Sequence, residues 1–180
     1  MLEIITKNKR RIIVIAIFIP ILLAFIIWTA LCNKALELNT YIIKSEKLPE
    51  SFSGYRIAHI SDLHNVEMGD DNEKLLAMLQ EAKPDLIAIT GDLIDSRSTN
   101  IEIALQFAEK SAKIAPSYYV AGNHEARISE YDQLKKGLIE LGVVVLENEK
   151  FELEKNGEII TLMGVDDPSF QTDYLLGDAE

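Results

Sequence analysis

Twenty consecutive residues near the N-terminus, 12–31, carry no charged side chain. At about 1.5 Å of rise per residue, a helix of this length spans the roughly 30 Å hydrocarbon core of a bilayer. Pro20 is tolerated in membrane helices, and Trp28 near the far end is typical of an interfacial anchor. The segment therefore predicts a transmembrane anchor, because a soluble surface helix needs a polar face and this one has none.

Basic residues flank only the N-terminal side of this segment. Residues 1–11 contain four cations and one anion. The positive-inside rule then predicts that residues 1–11 are cytoplasmic and that the rest of a single-pass cell-membrane protein lies outside the cytoplasm. A cleaved signal peptide is the alternative, although it normally has a shorter apolar stretch and small residues before the cleavage site.

The remainder of the chain is strongly acidic. The formal net charge is −11, and residues 1–11 contribute +3, so residues 32–180 carry −14. Nucleic-acid binding depends on Lys and Arg that neutralise phosphates, so no nucleic-acid partner is expected. The single cysteine, Cys32, excludes an intramolecular disulfide and a cysteine-based zinc cluster. About 150 residues suffice for one domain with its own core.

Strands and helices are predicted to alternate after a connecting segment at residues 32–54. Within that segment, Tyr41-Ile42-Ile43 predicts a short strand. Apolar runs predict strands at residues 56–61, 85–90, 117–121 and 143–146. Helical periodicity predicts helices at residues 71–83, 99–113 and 129–141. Asn156-Gly157 predicts a hairpin between strands at 151–155 and 158–163. This order favours an α/β fold with a mainly parallel sheet.

Polar clusters follow the first three predicted strands. They are Ser61-Asp62-Leu63-His64, Gly91-Asp92-Leu93-Ile94-Asp95 and Gly122-Asn123-His124-Glu125. In extended backbone, residues i and i+2 point the same way, so Asp62 and His64 are expected to face one ion. The carboxyl ends of neighbouring strands converge on one crevice, and these donor types suit Mn, Fe or Zn. Each cluster alone is typical of a turn, but the three together predict a metal centre.

The set SDLH, GDLID and GNHE resembles the motifs of the calcineurin-like metallophosphoesterase family. A membrane segment, then LPESFSGYRIAHISDLHN and later GVDDPSF, is similar to the membrane-anchored or exported bacterial branch of that family. The resemblance covers roughly residues 41–170. It implies that residues 55–180 form the first part of a two-sheet α/β sandwich and that phosphate esters are hydrolysed by hydroxide generated between two metal ions.

The resemblance also implies a ligand set for two divalent ions, whether Mn, Fe or Zn. Asp62 and His64 would bind the first metal. Asp92 would bridge both metals, and Asn123 would bind the second through its side-chain oxygen. The positive charge of the ions would also explain how an acidic domain accepts an anionic substrate, because bound ions dominate the local field.

Three further residues receive roles from the same resemblance. His124 would not be a ligand; it would hydrogen-bond the phosphate and protonate or stabilise the leaving oxygen. Glu125 is expected to orient His124, and Asp95 to support the site from behind the ligands.

Other polar residues near the motifs are expected to lie outside the catalytic set. His59 lies within a predicted strand, which favours a packed or hydrogen-bonded histidine over a ligand. Asp166 and Asp167 are more typical of a turn beside Pro168 than of a site.

The family's later motifs supply another metal-binding histidine and then a Gly-His-x-His pair, which this chain does not contain. Its three histidines are His59, His64 and His124. The chain is therefore expected to be incomplete at its C-terminus, as the truncated product of a longer reading frame. A degenerate protein and a site completed by a second chain are the alternatives.

The leading functional hypothesis is a membrane-anchored phosphoesterase, active on monoesters or diesters, with lipid-linked or other cell-envelope phosphoesters as its substrate class. One alternative is a non-catalytic membrane module that binds a metal or phosphate, which the missing histidines favour for this chain. The second, by resemblance only, is a pyrophosphatase acting on a lipid-linked sugar nucleotide.

Overall fold

The computed structural model describes the backbone of residues 2–32 and 36–171 and the side chains of residues 14–29 and 36–170. The chain divides into two compact units, Met1–Asn39 and Thr40–Glu180. The second unit contains all three motif clusters.

In the N-terminal unit, the described residues form helix α1 (Leu2–Cys32), with Pro20 inside it. Large apolar side chains along it are exposed, including Phe18 and Trp28. The side chains of residues 12, 13, 30 and 31, at the two ends of the predicted anchor, lie outside the described residues. Among the residues that are described, no helix has the length and apolar character to cross a membrane, so the predicted anchor is not confirmed.

A four-stranded parallel sheet forms the centre of the second unit. Its strands lie side by side in chain order and are β1 (Ile57–Ile60), β2 (Leu86–Thr90), β3 (Ser117–Val120) and β4 (Val144–Val145). The connecting helices are α2 (Glu73–Ala82), α3 (Ile101–Ala112) and α4 (Tyr131–Glu140). The predicted α/β fold with a parallel sheet is confirmed, since parallel neighbours need such helical crossovers.

Each connecting helix buries residues at helical spacing. Leu75 and Leu79 of α2, Phe107 of α3, and Leu134 and Leu138 of α4 are all buried. The central strand β2 has a run of buried apolar residues, because a strand inside a covered parallel sheet is enclosed on both faces. These helices therefore hold the strand ends, and the loops that follow them, in fixed positions.

The predicted hairpin is present as β5 (Lys150–Lys155) and β6 (Glu158–Met163). Its two-residue turn places Asn156 at φ 54° and Gly157 at φ 82°, as the right-handed twist of a hairpin requires. The hairpin residues Phe151, Leu153 and Leu162 pack against a buried cluster of the parallel sheet that contains Leu86, Tyr118 and Leu146. This hairpin is the part of a second sheet that the described residues form.

The prediction of a short strand at residues 41–43 is wrong. Tyr41, Ile42 and Ile43 are irregular and 83%, 83% and 87% exposed. Their β-branched and aromatic side chains favour extended backbone, but a strand also needs a partner edge, and these exposures show that none covers them.

Candidate metal centre

The three motif clusters form adjacent loops at the carboxyl edge of the parallel sheet. The first loop (residues 61–65) follows β1, the second (91–98) follows β2, and the third (121–127) follows β3. Main-chain hydrogen bonds join the first loop to the second: the N–H groups of Asp62, His64 and Asn65 donate to the carbonyls of Gly91, Asp92 and Leu93 at 3.2, 2.9 and 3.2 Å. These hydrogen bonds hold the first two loops side by side beyond the ends of β1 and β2.

The backbone of the first two loops adopts left-handed conformations at non-glycine residues. The φ angles are 58° at Asp62, 47° at His64, 60° at Asn65 and 51° at Asp92. The prediction that Asp62 and His64 face one ion because the chain is extended is therefore wrong in its premise, although their side chains do meet. Each such conformation costs roughly 1–2 kcal/mol, and this concentration of strain indicates a functional constraint.

Two glycines allow the second and third loops to touch through their backbones. A Cβ atom on Gly91 would lie 2.6 Å from the Gly122 Cα, and Gly91 also has φ 81°. A Cβ atom on Gly122 would collide with the carboxylate and main-chain nitrogen of Asp92. The side chain of Asp92 consequently lies against the third loop.

The carboxylate of Glu125 ties these two loops together. It is fully buried and accepts four main-chain hydrogen bonds. The donors are the N–H groups of Gly122 at 2.9 Å, Asp92 at 2.8 Å, Leu93 at 2.8 Å and Ile94 at 3.3 Å. A buried carboxylate is costly unless it is satisfied in this way, so Glu125 fixes the backbone that carries Asp92. That it orients the His124 ring stays a prediction.

The side chains of Asp62, His64 and Asp92 converge on one point. His64 Nε2 lies 3.6 Å from Asp62 Oδ1 and 3.9 Å from Asp92 Oδ2. These separations are too long for hydrogen bonds but are close to those between two ligands that each lie about 2.1 Å from one ion. His64 Nδ1 is buried and has no hydrogen-bond partner among the described residues. This donor set fits a divalent cation.

His124 brings a second imidazole beside the same point. Ligand atoms of His64, Asp92 and His124 lie within 4.8 Å of one another, and the two imidazole rings are 4.5 Å apart. However, His124 Nδ1 accepts a hydrogen bond from the main-chain N–H of Ser96 at 3.0 Å. A main-chain N–H can only donate, so the proton of the neutral ring lies on Nε2. A protonated Nε2 is a hydrogen-bond donor rather than a metal ligand.

Asp95 lies on the same side of His124 as Ser96. Asp95 Oδ1 is 3.5 Å from His124 Nδ1, which is longer than a strong hydrogen bond. Its carboxylate is engaged by Arg97, whose main-chain N and Nε donate to Oδ1 at 2.9 and 3.1 Å and whose terminal nitrogen donates to Oδ2 at 2.9 Å. These hydrogen bonds from Arg97 lower the pKa of Asp95, so the group is anionic at neutral pH.

Asn123 lies between Asp92 and Arg127. Hydrogen bonding favours the amide orientation in which Nδ2 donates to Asp92 Oδ2 at 3.1 Å. In this orientation Oδ1 accepts from both terminal nitrogens of Arg127, each at 3.2 Å. The other carboxylate oxygen of Asp92 accepts the main-chain N–H of His124 at 2.9 Å. Asp92 therefore contacts the third loop through both of its oxygens.

The remaining polar candidates bond to residues outside the three motif clusters. His59 Nε2 is 2.6 Å from Thr90 Oγ1 on the neighbouring strand, in agreement with a hydrogen-bonded strand histidine. Asp166 pairs with the side chain of Asn148, and Asp167 accepts the main-chain N–H of Ser169 at 2.8 Å. Asp167 therefore borders the turn that begins at Pro168, as predicted, whereas Asp166 is held by Asn148 outside that turn.

Sequence reasoning missed Ser96 and Arg127. No motif marks Ser96, because it acts through its main-chain N–H. Arg127 carried one signal: it follows Asn123 by four residues, the spacing that brings two side chains together on a helical turn. The turn is present, since Ala126 N donates to Gly122 O at 3.3 Å and Arg127 N to His124 O at 3.1 Å.

Residues 55–176 match the family model described as Calcineurin-like phosphoesterase. The chain therefore belongs to the calcineurin-like phosphoesterase family, which confirms the resemblance found in the motifs. This is a family of metal-dependent hydrolases, and the donor set at the sheet edge agrees with divalent metals in general.

Relatives of the chain are found in bacteria and in vertebrates. It is 30% identical over 150 residues to the uncharacterized metallophosphoesterase YkoQ of Bacillus subtilis, covering 81% of this chain and 55% of that protein. It is 32% and 28% identical to proteins of Danio rerio and Bos taurus that are each named a transmembrane protein with metallophosphoesterase domain. Those matches cover 69% and 72% of this chain but 30% and 31% of the relatives. The chain thus spans about half or less of the length of these relatives.

Proposed function

We propose that this chain hydrolyses phosphate esters with divalent metal ions held at the ends of β1, β2 and β3. The observation that carries the proposal is the convergence of three motif loops on Asp92. Its Oδ2 lies 3.9 Å from His64 Nε2 and 3.1 Å from the Asn123 amide. A carboxylate in this central position suits a bridging ligand between two ions.

The roles of the ligands follow from these contacts. Asp62 and His64 would hold one ion from the first loop, and Asn123 would hold the other from the third loop. Metal ions bound there, whether Mn, Fe or Zn, would polarise the phosphoryl oxygens and lower the pKa of bound water. Their charge would also offset the acidic surroundings that otherwise repel a phosphate ester.

His124 would act on the substrate through Nε2. The main-chain N–H of Ser96 keeps the ring proton on that nitrogen. Nε2–H is therefore a donor for a phosphate oxygen or for the leaving oxygen. The ring is positioned by the protein before substrate arrives, so little reorganisation is needed in the transition state.

Attachment to a membrane is a further part of the proposal. It is supported by the uncharged segment at residues 12–31, by the basic residues before it, and by two relatives that are named transmembrane proteins. A domain held at the outer face of the cell membrane would meet lipid-linked and other envelope phosphoesters, which we propose as its substrate class.

A second candidate function is binding of metal or phosphate without catalysis. The histidine inventory favours it, because His59 bonds Thr90 and only His64 and His124 reach the site. If His64 is the one nitrogen ligand among the described residues, the ions would be held weakly and any turnover would be slow.

Hydrolysis of bis(p-nitrophenyl) phosphate by the full chain with Mn²⁺ separates the two candidates. Turnover that falls by about 100-fold in His124→Ala, with Mn²⁺ affinity unchanged within about twofold, is expected of the enzyme. Mn²⁺ binding without turnover would establish the non-catalytic module. Loss of Mn²⁺ binding in His124→Ala would contradict the assignment of His124 and make it a ligand.

A further inference from the structure

Arg127 lies one helical turn beyond Asn123, at the edge of the candidate metal centre. Its side chain is exposed, and in the amide orientation that hydrogen bonding favours, both of its terminal nitrogens lie 3.2 Å from the Asn123 oxygen. A guanidinium that binds one oxygen with two N–H groups makes a charge-assisted contact. Arg127 is therefore the cation that holds the amide in this orientation.

The Asn123 amide has one oxygen and one NH₂ group, and the two point in opposite directions. While the oxygen faces Arg127, the NH₂ group faces Asp92 Oδ2 at 3.1 Å. An amide NH₂ group donates hydrogen bonds and does not bind cations, whereas the amide oxygen does. A metal ion beside Asp92 therefore needs the amide in the opposite orientation.

Reversing the amide removes its contact with Arg127. The NH₂ group would then face the N–H groups of the guanidinium. Both are hydrogen-bond donors, so no hydrogen bond would form between them. In one orientation the amide oxygen binds Arg127, and in the other it binds a metal ion. It cannot bind both cations at once. The exposure of Arg127 leaves its side chain free to move away when the amide turns.

We propose that Arg127 competes with a divalent metal ion for the side-chain oxygen of Asn123, so that metal binding releases the guanidinium. This inference rests on the proposed metal-dependent function. It assigns Arg127 a positioning role that acts through Asn123. Before an ion binds, Arg127 stabilises the amide orientation in which the oxygen is turned away from Asp92. This contact lowers the apparent affinity for the second ion.

A second group near Arg127 supports its release. Asp167 lies close enough for the guanidinium to influence it: hydrogen bonds from Ser169, together with the charge of Arg127, lower the pKa of Asp167. Asp167 is held in its turn by the main-chain N–H of Ser169 at 2.8 Å. Asp167 is therefore an anionic group within electrostatic range of Arg127.

A double-mutant cycle on Mn²⁺ affinity tests the competition. Isothermal titration of the full chain is performed on wild type, Arg127→Met, Asn123→Ala and the double variant. Loss of the Arg127 contact is expected to raise Mn²⁺ affinity by about fivefold when Asn123 is present. The same substitution in the Asn123→Ala background is expected to change affinity by less than about twofold, because the contested oxygen is absent.

Arg127→Lys distinguishes the effect of the two guanidinium hydrogen bonds from the effect of the positive charge. Lysine keeps the cation but cannot bind the amide oxygen with two N–H groups, so we expect an affinity between those of wild type and Arg127→Met. Damage to the site would lower metal affinity, so a rise is not a general effect of misfolding.

Three outcomes would overturn the inference. Equal rises in the Asn123 and Asn123→Ala backgrounds would show that the effect is one of net charge. An unchanged or lower affinity in Arg127→Met, with Mn²⁺ still binding to wild type, would contradict the competition while leaving the metal centre intact. Absence of Mn²⁺ binding to wild type would instead contradict the proposed function and this inference with it.

Discussion

The second and third loops of the site differ from the first in how they are held. Glu125, fully buried, bonds four N–H groups across the second and third loops. The first loop is held mainly through main-chain bonds to the second, and its Asp62 side chain is 64% exposed, against 12% for Asp92. The second and third loops therefore form a preformed half of the site, fixed by buried hydrogen bonds. The first loop forms the other half, which lies close to solvent.

This difference indicates how the two halves respond to a metal ion. Asp92 is positioned by hydrogen bonds with Glu125 and with the main-chain N–H of His124. Asp62 and His64 hold left-handed backbone conformations and bring a carboxylate and an imidazole within 3.6 Å of each other. We expect a metal ion to stabilise the first loop more than the other two.

The largest expected effect comes from breaking the preformed half. In Glu125→Gln, an amide replaces the carboxylate, and its NH₂ group would face main-chain donors that have lost their acceptor. We expect a loss of about 3 kcal/mol in the free energy of unfolding, measured by urea denaturation of the full chain.

Glu152→Gln is the matched control for that substitution. Glu152 is an exposed residue of β5, so the same chemical change there should alter stability by less than about 0.5 kcal/mol. Equal stability losses in the two variants would contradict the role assigned to Glu125.

The Mn²⁺ affinities of Asp92→Asn and Asp62→Asn compare the two halves of the site, because each variant neutralises one carboxylate in one half. Asp92→Asn is expected to weaken Mn²⁺ binding by about 100-fold, and Asp62→Asn by about 10-fold, because Asp92 contacts the ligands of both proposed ions and is far less solvated. Titration calorimetry measures both. A larger loss in Asp62→Asn would reverse the comparison and move the centre of the site to the first loop.

Hydrogen exchange sharpens the comparison at single amides. On addition of Mn²⁺, the N–H groups of Asp62, His64 and Asn65 should gain about 10-fold more protection than those of Asp92 and Leu93, which Glu125 already holds. Equal gains in both sets would mean that the first loop is as preformed as the second.

The smallest effect concerns the ion pair beside His124. Hydrogen bonds from Arg97 lower the pKa of Asp95 from its ordinary value of 3.8. A lowered folded-state pKa gives stability that is present above about pH 4 and is lost as the pH falls through the folded pKa. In Arg97→Met, carboxyl NMR should show the pKa of Asp95 rising toward 3.8; an unchanged pKa would show that Arg97 does not hold it.

Most of the second unit was predictable because its signals are local. Alternating apolar runs and helical periodicity located β1 to β4 and α2 to α4 within a few residues, and Asn156-Gly157 located the hairpin. The strand predicted at Tyr41–Ile43 failed because pairing depends on a partner edge that no local pattern reveals.

The site was predictable in its residues but not in its geometry. The motifs identified Asp62, His64 and Asp92, yet the left-handed backbone that brings them together depends on pairing between the first two loops. The four donors that meet Glu125 belong to two loops about 30 residues apart, and the contact between Asn123 and Arg127 depends on a helical turn inside a loop. Such contacts follow only from tertiary structure.

The most direct test of the metal centre is Mn²⁺ titration into the ¹⁵N-labelled full chain, observed by paramagnetic broadening of main-chain amide signals. Broadening should be strongest at Asp62, His64, Asp92 and His124, and Asp92→Asn should remove it while the other signals stay in place. Broadening centred on the exposed Glu152 and Glu154 of the β5–β6 hairpin, or unchanged by Asp92→Asn, would contradict the metal centre.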